Sequence, residues 1–69
     1  MKKISMIVPC FNEENNVRLF YEDVLKTYKG SRKYKIELLF IDDGSKDNTL
    51  KVIKKLANKD KNVKYLSFY

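Results

Sequence analysis

Two adjacent aspartates, Asp42 and Asp43, end the apolar run in the segment LLFIDDGSKDNT at residues 38–49. Two like charges side by side repel each other, and carboxylates are seldom buried without partners. At the end of a strand, a carboxylate can accept hydrogen bonds from ribose hydroxyls or from the N–H of a base. The pair therefore predicts a nucleoside site, in which Asp42 is the favoured contact.

A second polar segment, PCFNEEN at residues 9–15, follows another apolar run. Its Phe11 offers an aromatic face on which a base can stack, and Glu13 adds a carboxylate. The segment contains no glycine, so its backbone cannot approach a pyrophosphate as the glycine-rich turn of a Rossmann fold does. A Rossmann dehydrogenase is therefore disfavoured.

Structural roles compete with these binding roles. Ser45 and Asp47 are better explained as helix caps and turn residues than as ligand contacts. A cap explains one of the two adjacent aspartates but not both. For Glu13, a place at the positive end of a helix dipole is an equally good explanation, and for Phe11 so is packing on a sheet.

The hydrophobic periodicity predicts five alternating elements. Short apolar runs indicate strands at 3–9, 35–42 and 62–69, and three- and four-residue spacing indicates amphipathic helices at 13–30 and 46–59. Strands that are joined by helical crossovers lie parallel in one sheet. We therefore expect an α/β fold with β-α-β-α-β order and three parallel strands arranged 3-2-1.

This topology places the two polar segments side by side. The carboxyl ends of neighbouring parallel strands meet at one edge of a sheet, and ligands of open α/β sheets bind at that edge. Both helices are expected on the same face of the sheet, which leaves apolar side chains on the other face uncovered. We therefore expect residues 1–69 to be the incomplete first part of a larger domain, or to self-associate through the bare face.

Composition limits the remaining possibilities. The chain has 69 residues, a single cysteine (Cys10) and no histidine, which argues against a disulfide and against a zinc site of the usual ligands. The net charge of +6 comes largely from scattered lysines, a pattern that favours a solvated surface and no nucleic-acid partner. Nothing resembles a signal peptide or a membrane span, so we expect a cytoplasmic chain.

Taken together, ISMIVPCFNEENNV and ELLFIDDGSKDNTLKVI resemble the family 2 glycosyltransferases, which have the GT-A fold. The shared pattern is a strand ending in V-P-x-[YF]-N-E, a helix, and a strand ending in D-D-G-S with D-x-T behind it. The resemblance is greatest to the dolichyl-phosphate mannose synthase-like branch, which transfers a sugar from a nucleotide to a polyprenyl phosphate. It covers essentially the whole chain, but only the nucleotide-binding N-terminal part of the family domain.

The resemblance implies roles for five residues at the matching positions. Pro9, Phe11 and Glu13 would line the pocket for the base and ribose. Asp42 would hydrogen-bond the base or the ribose, and Asp43 would lie behind it or shape the loop. Phe11 stands where tyrosine is commoner, so stacking is retained and a hydroxyl contact is lost. No catalytic residue is implied in this chain.

The resemblance also implies a cofactor and partners. The D-x-D motif that binds a divalent metal, Mg or Mn, and the donor diphosphate follows a fourth strand and is absent here, so no metal ligand is expected in this chain. The donor would be a UDP- or GDP-sugar, the acceptor a lipid phosphate, and the anomeric carbon would be inverted. The full-length protein would associate with the cytoplasmic face of the membrane, and this fragment alone is expected to be inactive.

Two other classes of protein remain open at this point. A phosphorylation receiver domain also has an acidic pair after an apolar strand, although its phosphate-accepting aspartate ends a later strand and the third strand here ends in YLSFY. A basic, non-catalytic module that binds nucleic acid or an anionic membrane would use the excess of lysine.

Overall fold

The computed structural model describes residues 2–28, 30 and 32–68. Its elements are β1 (Lys2–Cys10), α1 (Glu14–Tyr28), β2 (Tyr34–Asp42), α2 (Thr49–Lys59) and β3 (Val63–Ser67). The predicted alternation of strands and helices is confirmed. The predicted end of the third strand, Tyr69, lies outside the described residues.

The three strands form one parallel sheet with β2 in the centre. β2 pairs with β1 on one side and with β3 on the other, which confirms the predicted 3-2-1 order. In this register Asp42 lies opposite Cys10 of β1 and opposite Ser67 of β3. The carboxyl ends of all three strands therefore lie along the same edge of the sheet.

Both helices cover one face of the sheet, as the 3-2-1 strand order with right-handed crossovers predicts. Phe40 of β2 is fully buried beneath them, and its ring meets that of Phe20 edge-on at a centroid distance of 6.4 Å. The buried hydrophobic core consists of Cys10, Val17, Tyr21, Leu38, Phe40, Ile53, Leu56 and Val63. Burial of these side chains is the main favourable contribution to folding.

The opposite face of the sheet has no covering element among the described residues. Its half near the carboxyl edge is apolar, with Ile7 65% and Leu66 51% exposed. Its other half is polar, since Glu37 pairs with Lys3 at 3.0 Å and with Lys64 at 3.5 Å. The apolar sequence of β2 predicts packed elements on both faces of the sheet. In the described residues, helices pack on one face alone.

Candidate functional site: two loops at the carboxyl edge of the sheet

Two loops meet at the carboxyl edge of the sheet. The first loop (residues 11–13) joins β1 to α1, and the second loop (residues 43–48) joins β2 to α2. The backbone N–H of Asn12 donates to Ser45 Oγ at 2.9 Å, and Asn12 Oδ1 accepts the N–H of Lys46 at 2.8 Å. The predicted proximity of these segments is therefore confirmed, and hydrogen bonds hold them together.

The same bonding extends to the start of α1. The N–H of Glu13 donates to Thr49 Oγ1 at 2.8 Å, and the N–H of Glu14 donates to Asp47 Oδ2 at 3.4 Å. A helix N-terminus offers its N–H groups to phosphate in dinucleotide-binding folds. Here side chains of α2 and of the second loop accept the N–H groups of Glu13 and Glu14, so these two donors are already used within the protein.

Asp47 also connects the second loop to α2. Its Oδ1 accepts the N–H of Thr49 at 2.9 Å and, in addition, the Thr49 hydroxyl. These bonds, led by the one from the Thr49 side chain, lower the pKa of the Asp47 carboxyl below its usual value. The predicted turn role of Asp47 is thus confirmed. The predicted capping role of Ser45 or Asp47 is wrong, because the N-cap residue of α2 is Asn48, which makes no side-chain cap hydrogen bond, and α2 begins at Thr49 rather than at residue 46.

Asp42 lies on the helix-covered face of the sheet and is 0% exposed. Its Oδ1 accepts the N–H of Ser45 at 3.3 Å and also accepts the Ser45 hydroxyl. Its Oδ2 is buried without a hydrogen-bond partner among the described residues. In this structure the Asp42 carboxylate is directed inward and its bonds to Ser45 organise the second loop, and its expected contact with a nucleoside stays a prediction.

Asp43, by contrast, is exposed. Its backbone N–H donates to the carbonyl of Cys10 at 3.0 Å, which fixes its position beside the end of β1. Phe11, the residue after Cys10, is 54% exposed. Phe11 and Asp43 are therefore both accessible at this junction, and an aromatic ring and a carboxylate suit a nucleoside.

Gly44 gives the second loop its shape. Its φ is +74°, a left-handed conformation that favours glycine, and an added Cβ would lie 3.4 Å from the carbonyl oxygen of Phe68. The N–H of Phe68 in turn donates to the carbonyl of Asp42 at 2.9 Å. The second loop is thus confined from the β3 side as well.

Pro9 and Glu13 line a cavity of about 180 Å³ beside the outer edge of β1. Its apolar walls include Val17, Phe20 and Phe40. The volume is below the roughly 300–1,000 Å³ of typical small-molecule sites, so it can hold only part of a nucleotide-sugar. The Glu13 carboxylate accepts an N–H of Asn16 Nδ2 at 2.7 Å, and the Glu13 carbonyl accepts the N–H of Val17 at 3.0 Å, so Glu13 also supports the start of α1 from the position just before it.

Cys10 lines the same cavity but is not a reactive group. Burial raises the pKa of its thiol, and the carboxylates of Asp42 and Glu13 raise it further. A thiol with a raised pKa stays protonated and is a weak nucleophile. The structure therefore agrees with a packing role for Cys10.

A larger cavity, of about 270 Å³, lies at the opposite end of the sheet near the amino ends of β2 and β3. Tyr21, Tyr28 and Asp60 contribute to its lining. Tyr21 donates its hydroxyl to Asp60 Oδ2 at 2.9 Å, and burial together with this bond raises the pKa of Tyr21 to about 12. Ligands of open α/β sheets bind at the carboxyl ends of the strands, so size alone does not make this cavity the site.

The described residues do not suit a divalent metal. Within residues 2–28, 30 and 32–68 there is no group of three or more histidine, cysteine, aspartate or glutamate side chains that could hold one. Asp47 is already hydrogen-bonded to the starts of both helices, and Asp42 is hydrogen-bonded to Ser45.

Within residues 2–28, 30 and 32–68, no helix has the length and apolar character needed to cross a membrane.

The hydrogen bond between Asn12 and Ser45, which joins the two loops, was not predicted from the sequence. Asn12 has a positive φ of +51°, so the backbone turns sharply between the end of β1 and the start of α1. Ser45 lies three residues after Asp42, a spacing at which an aspartate often accepts a local backbone N–H. That spacing was a readable signal for the Asp42–Ser45 bond, whereas the bond from Asn12 to Ser45 joins distant parts of the chain.

The structure is an α/β fold with two loops joined at the carboxyl edge of a parallel sheet, and comparison with known proteins identifies the family. The family description "Glycosyl transferase family 2" matches residues 5–68. This chain belongs to glycosyltransferase family 2. The family match favours a glycosyltransferase over both the receiver domain and the basic binding module.

The curated relatives include proteins named for lipid-linked sugar transfer. The chain is 46% identical over 66 residues to the prophage bactoprenol glucosyl transferase homolog of Escherichia coli, covering 96% of this chain and 21% of that protein. It is 48% identical over 65 residues to the putative glycosyltransferase CsbB of Bacillus subtilis, covering 94% and 20%. It is 34% identical over 62 residues to the undecaprenyl-phosphate 4-deoxy-4-formamido-L-arabinose transferase of Proteus mirabilis, covering 90% and 19%. The chain thus spans about a fifth of the length of these relatives.

Proposed function

We propose that the carboxyl edge of this sheet binds the nucleoside of a nucleotide-sugar. The observation that carries the proposal is the hydrogen-bonded junction of the first and second loops, which brings the exposed Phe11 ring and Asp43 carboxylate to one edge. Phe11 stacks on the base, and Asp43 accepts a hydrogen bond from the ribose or the base. Pro9 and Glu13 line the side of the site next to β1.

Asp42 belongs to the proposed nucleoside site in a different way from Asp43. Its burial and its bonds to Ser45 suit a residue that shapes the second loop. In this proposal the two aspartates exchange the roles that the sequence resemblance implies for them.

We propose that the whole protein transfers a sugar from a UDP- or GDP-sugar to a polyprenyl phosphate, with inversion at the anomeric carbon. The relatives named for bactoprenol and undecaprenyl phosphate support this class of acceptor. Residues 1–69 supply the nucleoside-binding loops as the N-terminal part of the domain. The divalent metal of the family, Mg or Mn, would be held outside the described residues, and the protein would act at the cytoplasmic face of a membrane.

The direct test is a nucleotide titration of the isotope-labelled chain, followed residue by residue by NMR. UDP and GDP are titrated separately, and we expect one of them to shift the amide signals of Phe11 and Asp43. The Phe11→Ala variant should bind about 5- to 100-fold more weakly, which is the scale of one base–aromatic stack. Tyr34→Ala, which removes a comparably exposed ring at the other end of the sheet, serves as the matched control.

Two results would contradict the proposal. One is the absence of shifts with every nucleoside diphosphate, given a folded chain. The other is a set of shifts centred on the larger cavity, with Tyr34→Ala weakening binding more than Phe11→Ala.

The bare apolar half of the sheet supports a second proposal, that this chain by itself self-associates. Ile7 and Leu66 are large and exposed there, and such patches favour association. Sedimentation velocity over a range of concentrations should show a concentration-dependent mass, and Ile7→Lys should keep the chain monomeric. A monomer at every concentration would rule out this contact.

A further inference from the structure

At the carboxyl edge, a chain of hydrogen bonds links the buried carboxylate of Asp42 to the exposed first loop. The Asp42 carboxylate accepts the N–H and the hydroxyl of Ser45. Ser45 Oγ in turn accepts the N–H of Asn12 at 2.9 Å. The residue that precedes Asn12 is Phe11, so this chain of hydrogen bonds ends next to the ring that is proposed to stack on the base.

Asn12 closes a second bond across the same junction. Its Oδ1 accepts the N–H of Lys46 at 2.8 Å, so one asparagine donates to and accepts from consecutive residues of the second loop. Its φ of +51° is uncommon for residues other than glycine, although asparagine tolerates it better than most. The side chain bond offsets part of that conformational cost.

We propose that Asn12 and Ser45 are positioning residues, which clamp the two loops together and hold Phe11 and Asp43 ready for the nucleoside. The proposal rests on the proposed nucleoside site and adds to it two residues that need not touch the ligand. Asp42 is the buried anchor of the clamp. A preformed site loses less conformational freedom on binding than two separate loops would.

The clamp can be tested without a ligand. In the Ser45→Ala variant the Asn12 N–H loses its acceptor, so its hydrogen exchange should accelerate about tenfold, on the scale of one hydrogen bond. Ser45→Thr keeps a hydroxyl and should restore protection. In the Asn12→Gly variant the positive φ is retained while the Oδ1 acceptor is lost, so the Lys46 N–H should exchange faster. The clamp is disproved if Ser45→Ala leaves exchange at Asn12 unchanged.

Its effect on binding is then measured with the UDP and GDP titration. Ser45→Ala should weaken nucleotide affinity about tenfold, and Ser45→Thr should recover most of the loss. Thr27→Val is the matched control, because it removes one side-chain hydrogen bond, to the Asp23 carbonyl at 2.9 Å, on α1. It should leave affinity unchanged even where it lowers the melting temperature.

The outcomes separate the two proposals. If Ser45→Ala opens the clamp but binds nucleotide as tightly as the wild type, the positioning role is overturned and the nucleoside site stands. If the wild-type chain binds neither nucleotide, the nucleoside site is overturned and the positioning role falls with it. A tenfold loss that Ser45→Thr rescues and Thr27→Val does not reproduce supports both.

Discussion

The two ends of the sheet each contain an aspartate that accepts two hydrogen bonds, yet they differ in what those bonds join. At the carboxyl edge, Asp42 holds Ser45 and through it the first loop. At the amino end, Asp60 accepts the Tyr21 hydroxyl and the N–H of Asn62, which ties α1 to the turn before β3. The amino end has the larger cavity, whereas the carboxyl edge has exposed groups that suit a nucleoside. The nucleoside proposal therefore rests on the groups that are exposed at the carboxyl edge and not on cavity volume.

Removing each aspartate is the strongest way to test this difference. Asp42→Ala deprives two Ser45 donors of their acceptor and should lower the free energy of unfolding by about 1–3 kcal/mol. It should also disorder the second loop and weaken nucleotide binding. Chemical denaturation gives the first effect and the NMR titration gives the second.

Asp60→Ala is the counterpart at the amino end. It should destabilise by a similar amount, since it also loses two bonds, but nucleotide affinity should not change. A loss of binding in Asp60→Ala without any loss in Asp42→Ala would reverse the comparison.

Substitution of the two described glycines tests the same difference between the two ends of the sheet. Gly44 and Gly30 both have left-handed backbones, with φ of +74° and +79°. Alanine at either position should cost about 1–2 kcal/mol of conformational strain, measured by thermal or chemical unfolding. Only Gly44→Ala should also weaken nucleotide binding, because the strain of a left-handed alanine then lies in the second loop, next to Asp43. Equal effects of both variants on binding would contradict this assignment.

Tyr21→Phe should have a smaller effect, confined to stability. Loss of the bond to Asp60 should lower the free energy of unfolding by about 1 kcal/mol near neutral pH. The pKa of Tyr21 rises from 10.0 to about 12 on folding, so the wild type gains stability from the protonated phenol. That gain is complete below pH 10 and is lost as the pH rises towards 12.

The measurement for Tyr21 is a pair of denaturation curves over this pH range. The difference between wild type and Tyr21→Phe should shrink as the pH increases. A constant difference up to pH 12 would show that the hydroxyl proton does not contribute through this bond.

Asp47 should give the smallest effect, at acid pH. Its pKa lies below the usual value of 3.8 in the folded chain, so its bonds stabilise the fold above that pH. The contribution is lost as the pH falls below 3.8 and through the folded pKa. Asp47→Asn should therefore reduce the acid sensitivity of the melting temperature. An unchanged acid profile in this variant would argue that its bonds to Thr49 and Glu14 do not depend on charge.

Much of the architecture follows from the sequence, for identifiable reasons. The apolar stripes that contain Val17 and Tyr21 in α1, and Ile53 and Leu56 in α2, predict helices, and these side chains are buried as expected. The short apolar runs and the helical connections predict a parallel sheet, and its order is confirmed. Helix starts are less predictable: α2 begins three residues late, because Lys46 and Asp47 bond to the first loop and to α1.

The candidate site was only partly predictable for a similar reason. The proximity of the two loops follows from strand order alone. The bonds from Asn12 and Glu13 to Ser45 and Thr49 do not, because each joins residues that are more than thirty positions apart. No local pattern encodes such pairs.

The sequence by itself determined that Asp42 shares a face of β2 with Leu38 and Phe40, because side chains alternate along a strand. Only the tertiary structure decided that Asp42 is the buried one. Both faces of β2 are apolar, with Leu38 and Phe40 on one side and Leu39 and Ile41 on the other, so the pattern does not reveal which face the helices cover. They pack on the side of Phe40, and that choice encloses Asp42 and leaves Asp43 exposed.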